Sequence, residues 1–536
     1  MSDNAVGPTA TAARVVSSDA VPESLLNAFW AYDAALLDND TARLMDLFAP
    51  GPDTLRGDGR TLLVGHEEIT AFRSARARIP TRHVHEVHVR MLGEEAALTL
   101  AATRDGAARG MQTQLWEHRD GHWRITAAHV TNAVLEPPAM RPEACDARIW
   151  RVVGTPLVRH SADGALNGHT FAAKDLFAVH GQSRGAGNPT YLAQQHPQPR
   201  HASAVSALLD AGADLVGIAH TDEFAFGIGG TNVHYGTPPN PAARGRTSGG
   251  SSSGPASAVA LGHVTVGLGT DTAGSVRVPA SYQGLFGLRT THGALDTDGL
   301  LALAPSFDTI GWITRTLDDL DTVATALLPP ADQEHPPTRT GIIAHSLTYV
   351  DADIRDAFTA TVSDLVARGA IPEPTFFDIA PSTLEQWFTA FRVVQAYEAW
   401  REHGTWLAAN PDAVAADVTQ RFAAGAAVTK SELSTALAAV AEARATLRNI
   451  LSDTAILMPS TSGPAPDVTA TGDEFDAIRS NTLRLTTLAA LAGAPAISMP
   501  LLHDATGHPV GLSVVLAPGA DLGLLRYARR LQPTNL

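Results

Sequence analysis

Three short stretches of this 536-residue chain combine residue types that could transfer an acyl group. The first, Thr247-Ser248-Gly249-Gly250-Ser251-Ser252-Ser253-Gly254, presents hydroxyls on a glycine-rich run. Composition alone would make it a flexible linker. Its context argues otherwise, because Pro255, Ala256, Ala258, Val259, Ala260 and Leu261 follow and Gly262 ends the run, placing proline at a helix start and glycine just past the helix end. The serines therefore lie on a loop that feeds a helix. In the second stretch a buried strand, Val264 to Leu268, leads into Gly269-Thr270-Asp271-Thr272-Ala273-Gly274-Ser275. Small residues there let successive backbone N–H groups face one point, as an oxyanion requires. Strand-then-glycine loops also cradle phosphates, but no Gly-Lys-Ser/Thr follows this one. The third stretch is Phe171-Ala172-Ala173-Lys174-Asp175-Leu176-Phe177. Of the 39 Lys and Arg residues only Lys174 and Lys430 are lysine. A lysine kept in an apolar setting by an arginine-rich chain is a candidate base, since burial can remove its proton while a guanidinium stays charged. The plainer alternative is a lysine snorkelling from a strand end.

A serine hydroxyl attacks poorly until a base accepts its proton. Two arrangements could supply one here. Gly250-Ser251-Ser252-Ser253-Gly254 fits the G-x-S-x-G elbow of an α/β-hydrolase esterase, with Ser252 attacking. That elbow needs a preceding strand, and Pro238-Pro239-Asn240-Pro241 followed by Ala242 to Thr247 cannot form a central one. The other arrangement is serine-lysine catalysis, a recognised alternative to a histidine triad.

In order, content and spacing, Lys174-Asp175, Gly249-Gly250-Ser251-Ser252-Ser253-Gly254 and Gly269 to Ser275 continuing through Val276-Arg277-Val278-Pro279-Ala280 resemble the amidase signature family, over nearly the whole chain beyond residue 149. The resemblance implies an α/β fold with a mixed central sheet flanked by helices. It implies Ser275 as nucleophile, Ser251 (joined through a cis peptide) as proton carrier, and a neutral Lys174 as base. The N–H groups of Thr272, Ala273, Gly274 and Ser275 become oxyanion donors, braced by Asp271 and Arg277. Many members have glycine where Ala273 stands. The implied reaction is hydrolysis of a small-molecule amide, with no metal and no cofactor. Further segments, Asp222-Glu223, Asn232 to Pro238, Val278 to Tyr282, Phe307 to Trp312 and Gln395 to Trp400, are similar to the plant indole-3-acetamide hydrolases. A catalytically silent subunit of the same fold is a further alternative, disfavoured because all three catalytic positions are filled. Trp387, Phe391, Tyr397, Trp400 and Trp406 either line an aromatic acyl pocket or, as is commoner for such a stripe, build the core.

The length predicts two domains. Residues 1–20 read as a disordered tail, 21–135 as a small α+β unit, 136–148 as a proline-bearing linker, and 149–536 as the α/β catalytic domain. In the small unit, Leu25, Leu26, Phe29, Trp30, Leu36 and Leu37 mark an amphipathic helix, and two shorter helices follow around Leu44 and Ile69. Strand alternation then runs through His83–Met91, Ala96–Ala102, Met111–Glu117 and Trp123–Thr131. Helices followed by a curved antiparallel sheet predict a cone. This unit resembles the SnoaL-like cone fold and, within it, the AtzH-like group, found beside or fused to amidases of ureide breakdown. The resemblance gives the small unit a structural role, or a role as a homodimer face. It also sets an acylurea or ureide substrate against the arylacetamide suggested by the catalytic domain. His83 and His85 share a strand face with His88 opposite, an arrangement that favours surface histidines over a metal site. Trp30, Phe72 and Trp116 are expected to fill the cone. In the catalytic domain Ser203 to Ala211 reads as a helix ended by Gly212, and Asp214 to Ala219 as a buried strand.

A net charge of -16 without a basic cluster argues against nucleic acid as a partner. No apolar run is long enough to predict a membrane span. The single cysteine, Cys145, cannot form an internal disulfide, and together with the absence of a basic start and apolar run this predicts a cytoplasmic protein.

Overall fold

A computed structural model describes residues 14–17, 19–58, 62–74, 83–105, 108–131, 145–329, 337–470 and 472–532. These fall into two compact units that divide between residues 136 and 137.

In the first unit, helices α1 (Glu23–Leu37), α2 (Thr41–Asp46) and α3 (His66–Ser74) accompany strands β1 (Arg14–Val16), β2 (Leu55–Asp58), β3 (Leu62–Val64), β4 (His83–Met91), β5 (Ala96–Asp105), β6 (Ala108–Arg119) and β7 (His122–Thr131). They form one sheet in the order β1-β4-β5-β6-β7-β2-β3. The buried residues of α1, Leu25, Phe29, Tyr32 and Leu36, recur at helical spacing. The Asp40 side chain caps α2 by accepting the Arg43 N–H at 3.0 Å. Because Arg14–Val16 pairs in parallel with Glu86–His88, structure begins inside the expected tail; residues 1–13 of that tail, and residues 132–144 around the expected linker, lie outside the described residues.

The histidine arrangement needs correcting. A bulge between Val84 and Glu86 shifts the alternation of β4, so Val84, Val87 and Val89 face inward while His83, His85 and His88 are all exposed. Glu86 takes His88 at 2.6 Å. Among the described residues no three His, Cys, Asp or Glu side chains gather as a metal ion would require. The interior also differs from a purely aromatic filling. Phe29, Phe48, Trp116 and Ile125 are fully buried, but so are Arg56, Thr99, Gln112 and Gln114. Trp116 Nε1 donates to Thr99 Oγ1 at 3.0 Å, and Arg73 donates to Tyr32 Oη at 3.0 Å.

The second unit is built on one mixed sheet of 11 strands. They are β8 (Trp150–Val158), β9 (Thr170–Lys174), β10 (Asp214–Ala219), β11 (Val266–Thr270), β12 (Phe286–Arg289), β13 (Ile310–Thr314), β14 (Arg339–Ile343), β15 (Thr375–Phe377), β16 (Thr454–Pro459), β17 (Ala496–His503) and β18 (Pro509–Val515). Their order is β15-β14-β16-β18-β17-β12-β13-β11-β9-β10-β8. The helices are α4 (Pro189–Gln194), α5 (Ser203–Asp210), α6 (Ser253–Ala260), α7 (Arg277–Tyr282), α8 (Leu317–Leu327), α9 (Ala352–Ala367), α10 (Pro381–Ala409), α11 (Ala416–Ala427), α12 (Lys430–Leu451), α13 (Gly472–Ala492) and α14 (Asp521–Leu531). Strands β9, β10 and β11 run parallel, and β9 aligns Ala173 with Leu268 of β11. The carboxyl ends of β9 and β11 therefore sit side by side, where open α/β sheets present ligand sites. Strand β11 starts two residues later than expected, because Thr170 and Thr265 tie the approach together through side-chain and backbone hydrogen bonds. None of the described helices is long and apolar enough to cross a membrane.

Candidate active site

Lys174 is the last residue of β9 and Thr270 the last of β11, so adjacent parallel strands deliver both to one edge. Lys174 Nζ lies 2.8 Å from Ser251 Oγ and 2.8 Å from Thr270 Oγ1. All three side chains are buried, Lys174 and Ser251 with no exposed surface. Burial disfavours the ammonium and pushes Lys174 down to about 7, against the opposing pull of Asp222, Asp308 and Asp271. A substantial part of the lysine is then neutral near pH 7 and can accept a proton.

Ser251 stands just before α6, after a cis Gly250–Ser251 peptide. The loop passes so close to Asp222 that a Cβ on Gly250 would run into its carboxylate. Ser275 is buried on the turn after β11, and its carbonyl accepts the Ser252 N–H at 3.2 Å. Its hydroxyl makes no hydrogen bond among the described residues, which leaves it free to turn. Ser252, the elbow candidate, is fully buried and directs its hydroxyl to the Thr270 carbonyl at 3.4 Å. No strand precedes it between β10 and α6, only an isolated bridge at Arg246.

The turn Asp271–Ser275 is held from several sides. Asp271 takes Arg277 through Nε at 3.1 Å and Nη2 at 2.9 Å, and Arg289 Nη1 at 3.2 Å. Burial alone would raise its carboxyl; Arg277 and Arg289 instead hold it well below the usual carboxylate range. Thr272 Oγ1 donates to Asp308 at 2.6 Å, and Thr486 of α13 donates to the Ala273 carbonyl at 2.5 Å. Gly274, at φ 119°, adopts a conformation L side chains rarely reach, whereas Ala273 is not among the residues with positive φ. One expected donor is corrected: the Gly274 N–H points to Asp271 Oδ1 at 2.8 Å, because that carboxylate caps the turn from within. The N–H groups of Thr272, Ala273 and Ser275 meet no acceptor among the described residues.

A family model for amidases matches residues 155–525, and one for AtzH-like proteins matches residues 14–135. The chain belongs to the amidase family. Amidase 1 of Arabidopsis thaliana is 33% identical over 412 residues, covering 71% of this chain and 96% of that protein. A solved amidase shares 32% identity with a TM-score of 0.62, over 69% of this chain and 85% of its own. A chain from a vestigial protein complex tied to the evolutionary origins of an s-triazine catabolic enzyme shares 25% identity with a TM-score of 0.64, over 73% and 92%. The amidase is thus a hydrolase of amide C–N bonds, with an AtzH-like region at its N-terminal side.

Reading the motifs leaves out four side chains of this amidase's site. Thr270 closes the lysine's coordination, Arg289 is the second guanidinium on Asp271, Asp308 steadies Thr272, and Thr486 reaches in from α13. Thr270 and Asp308 lie inside segments singled out in the sequence, Arg289 and Thr486 outside them. Of the aromatic stripe, Trp387 and Phe391 are buried in the main core, and Trp400 and Trp406 pack around Phe224 and Phe422. The stripe stays out of a cavity of about 400 Å³ that opens beside Asp222 and Thr247 and runs along Phe226, Ile228 and Phe475.

Proposed function

We propose that the amidase hydrolyses a small-molecule carboxamide to a carboxylate and ammonia through an acyl-enzyme on Ser275. As Ser275 Oγ attacks the carbonyl carbon, its proton passes to Ser251 Oγ while the Ser251 proton passes to neutral Lys174 Nζ. The oxyanion formed is received by the unengaged N–H groups of Thr272, Ala273 and Ser275. On collapse the proton returns from Lys174 through Ser251 to the leaving nitrogen, ammonia departs, and the ester on Ser275 remains. Water then attacks that ester by the same relay, releasing the carboxylate and restoring the serine hydroxyl.

The observation that carries this reading is the fully buried lysine amine, 2.8 Å from Ser251 Oγ and pushed down to about 7. Deprotonation is what a relay needs of it, and a purely structural lysine has no use for it. The elbow alternative lacks its strand, and the silent-subunit alternative leaves the shifted amine without a purpose. For the substrate, the AtzH-like region favours ureides and the motifs shared with indole-3-acetamide hydrolases favour arylacetamides. The test is a hydrolysis screen across indole-3-acetamide, phenylacetamide, aliphatic amides, oxalurate and allophanate, combined with fluorophosphonate labelling read by peptide mass. Labelling on Ser275 is expected; labelling on Ser252, or activity surviving Ser275→Ala, would sink the mechanism.

A further inference from the structure

Among the described residues five that are not glycine have positive φ. Asn39 (52°) and Asp120 (53°) stand in turns of the small unit and are of the residue types that tolerate this region. The other three, Ala186 (51°), Phe224 (50°) and Ala225 (56°), belong to the catalytic unit and are buried. They meet in one place, for the Phe224 N–H donates to the Ala186 carbonyl at 2.7 Å. None of the three is of a type that prefers the left-handed conformation, and a phenylalanine there is a plain outlier.

A left-handed residue with a Cβ is confined to a narrow well near φ of about +50 to +70°, whereas glycine ranges widely over positive φ. An L side chain at such a position therefore costs free energy but removes freedom, and it persists only where its neighbours over-determine it. Here the neighbours are aromatic. The ring centres of His403, Tyr191, Trp406 and Phe422 lie 5.1, 5.3, 5.3 and 5.8 Å from that of Phe224, brought there by α10, α4 and α11. The three residues also join the two halves of the relay. Beside Lys174, the Asp175 carbonyl accepts the Ala186 N–H at 3.0 Å. Beside Ser251, the Ser251 carbonyl accepts the Asp222 N–H at 3.3 Å and Thr221 Oγ1 at 2.7 Å, while the Ala225 N–H donates to the Asp222 carbonyl at 2.7 Å. A continuous path of peptide units and backbone hydrogen bonds thus runs from Lys174 through Asp175, Ala186, Phe224 and Asp222 to Ser251. It closes on the 2.8 Å contact between Lys174 Nζ and Ser251 Oγ.

We infer that Ala186, Phe224 and Ala225 are positioning residues, whose confined backbone holds Ser251 Oγ at proton-transfer distance from Lys174 Nζ. The inference rests on the relay proposed above. Misplacement by about 1 Å can lower a rate about a hundredfold, so a hinge loosened at any of the three acts on turnover without touching the substrate.

The test uses the full chain, with fluorophosphonate labelling of Ser275 as a readout independent of the substrate. In Ala225→Gly and in Ala186→Gly the labelling rate, and kcat on the fastest amide of the screen, should each fall about tenfold while KM stays within about twofold. The midpoint of thermal unfolding should shift by less than about 3 °C, because relief of the left-handed strain offsets the lost methyl group and the freer unfolded chain. Ala202→Gly is the control. That alanine is buried at φ -63° just before α5, so its change removes a methyl without relieving strain; the midpoint should fall, with labelling and kcat unmoved. Labelling and kcat unmoved in the two site variants, or reduced no more than in Ala202→Gly, overturn the inference, as does an effect carried by KM alone. Should one site variant not fold, the other is read by the same comparison. An active unaltered chain with indifferent variants overturns the positioning role alone. No labelling and no hydrolysis by the unaltered chain overturns the proposed function with it.

Discussion

Asp271 and Asp222 are both buried, both bear on the charge of Lys174, and yet are shifted in opposite directions. Burial raises each carboxyl. At Asp271 two guanidinium groups more than reverse that effect, and the residue is a fixed anion bracing the turn that carries Ser275. Asp222 accepts the Gly230 N–H at 3.1 Å, and no guanidinium hydrogen-bonds to it among the described residues, so burial wins and its carboxyl is raised despite Lys174 nearby. Depth alone therefore does not fix the direction in which a buried carboxyl shifts; the partner does.

The largest break in this contrast comes from making the cation between the two aspartates permanent. Lys174→Arg should fold and lose hydrolysis by about 10³-fold, since a guanidinium cannot act as base. A folded variant with near-normal turnover would remove the relay. Next, Arg277→Met takes one of the two partners from Asp271. It is expected to destabilise the catalytic unit by about 3 to 5 kcal/mol, as removal of one member of a buried ion pair does, read from urea unfolding. A loss below about 1 kcal/mol, the scale of a surface pair, would show that Asp271 is not the brace. In the unaltered protein, kcat/KM should decline as pH falls through about 7, because protonating Lys174 removes the base. The smallest effect is the most discriminating. Asp222→Asn removes a charge that favours the ammonium, so the acid limb should move to lower pH; a limb that stays put or moves upward would show that Asp222 does not tune the lysine.

Lys174, Ser251, Ser275, Asp271 and Arg277 stand out in the sequence as candidates because each lies in a local run whose residue types and spacing suggest a role. Arg289 and Thr486 do not, and Asp308, inside the segment Phe307 to Trp312, carries no role there, since they arrive from β12, α13 and the approach to β13, and only the order of the central sheet brings those segments to the turn. Gly274 was misjudged for a different reason. Sequence identifies a small residue able to present its N–H but does not reveal that a side chain three positions earlier has already taken it. In the small unit the four long strands β4 to β7 were legible, the short β1, β2 and β3 were not, and the faces were read less well. One bulge in β4 puts His88 on the exposed side with His83 and His85, all three at the surface as expected, and the inward residues of β6 include Gln112 and Gln114, which simple alternation of apolar and polar residues would have placed in solvent.

One peptide in the Ser275 turn is held at both ends. The carbonyl of Ala273 is gripped by Thr486, and the N–H that belongs to the same planar unit, on Gly274, is gripped by Asp271. Such a plane cannot invert without breaking two buried hydrogen bonds at once. The clamp therefore fixes the middle of the turn, and with it the directions of the free N–H groups of Ala273 and Ser275 on either side.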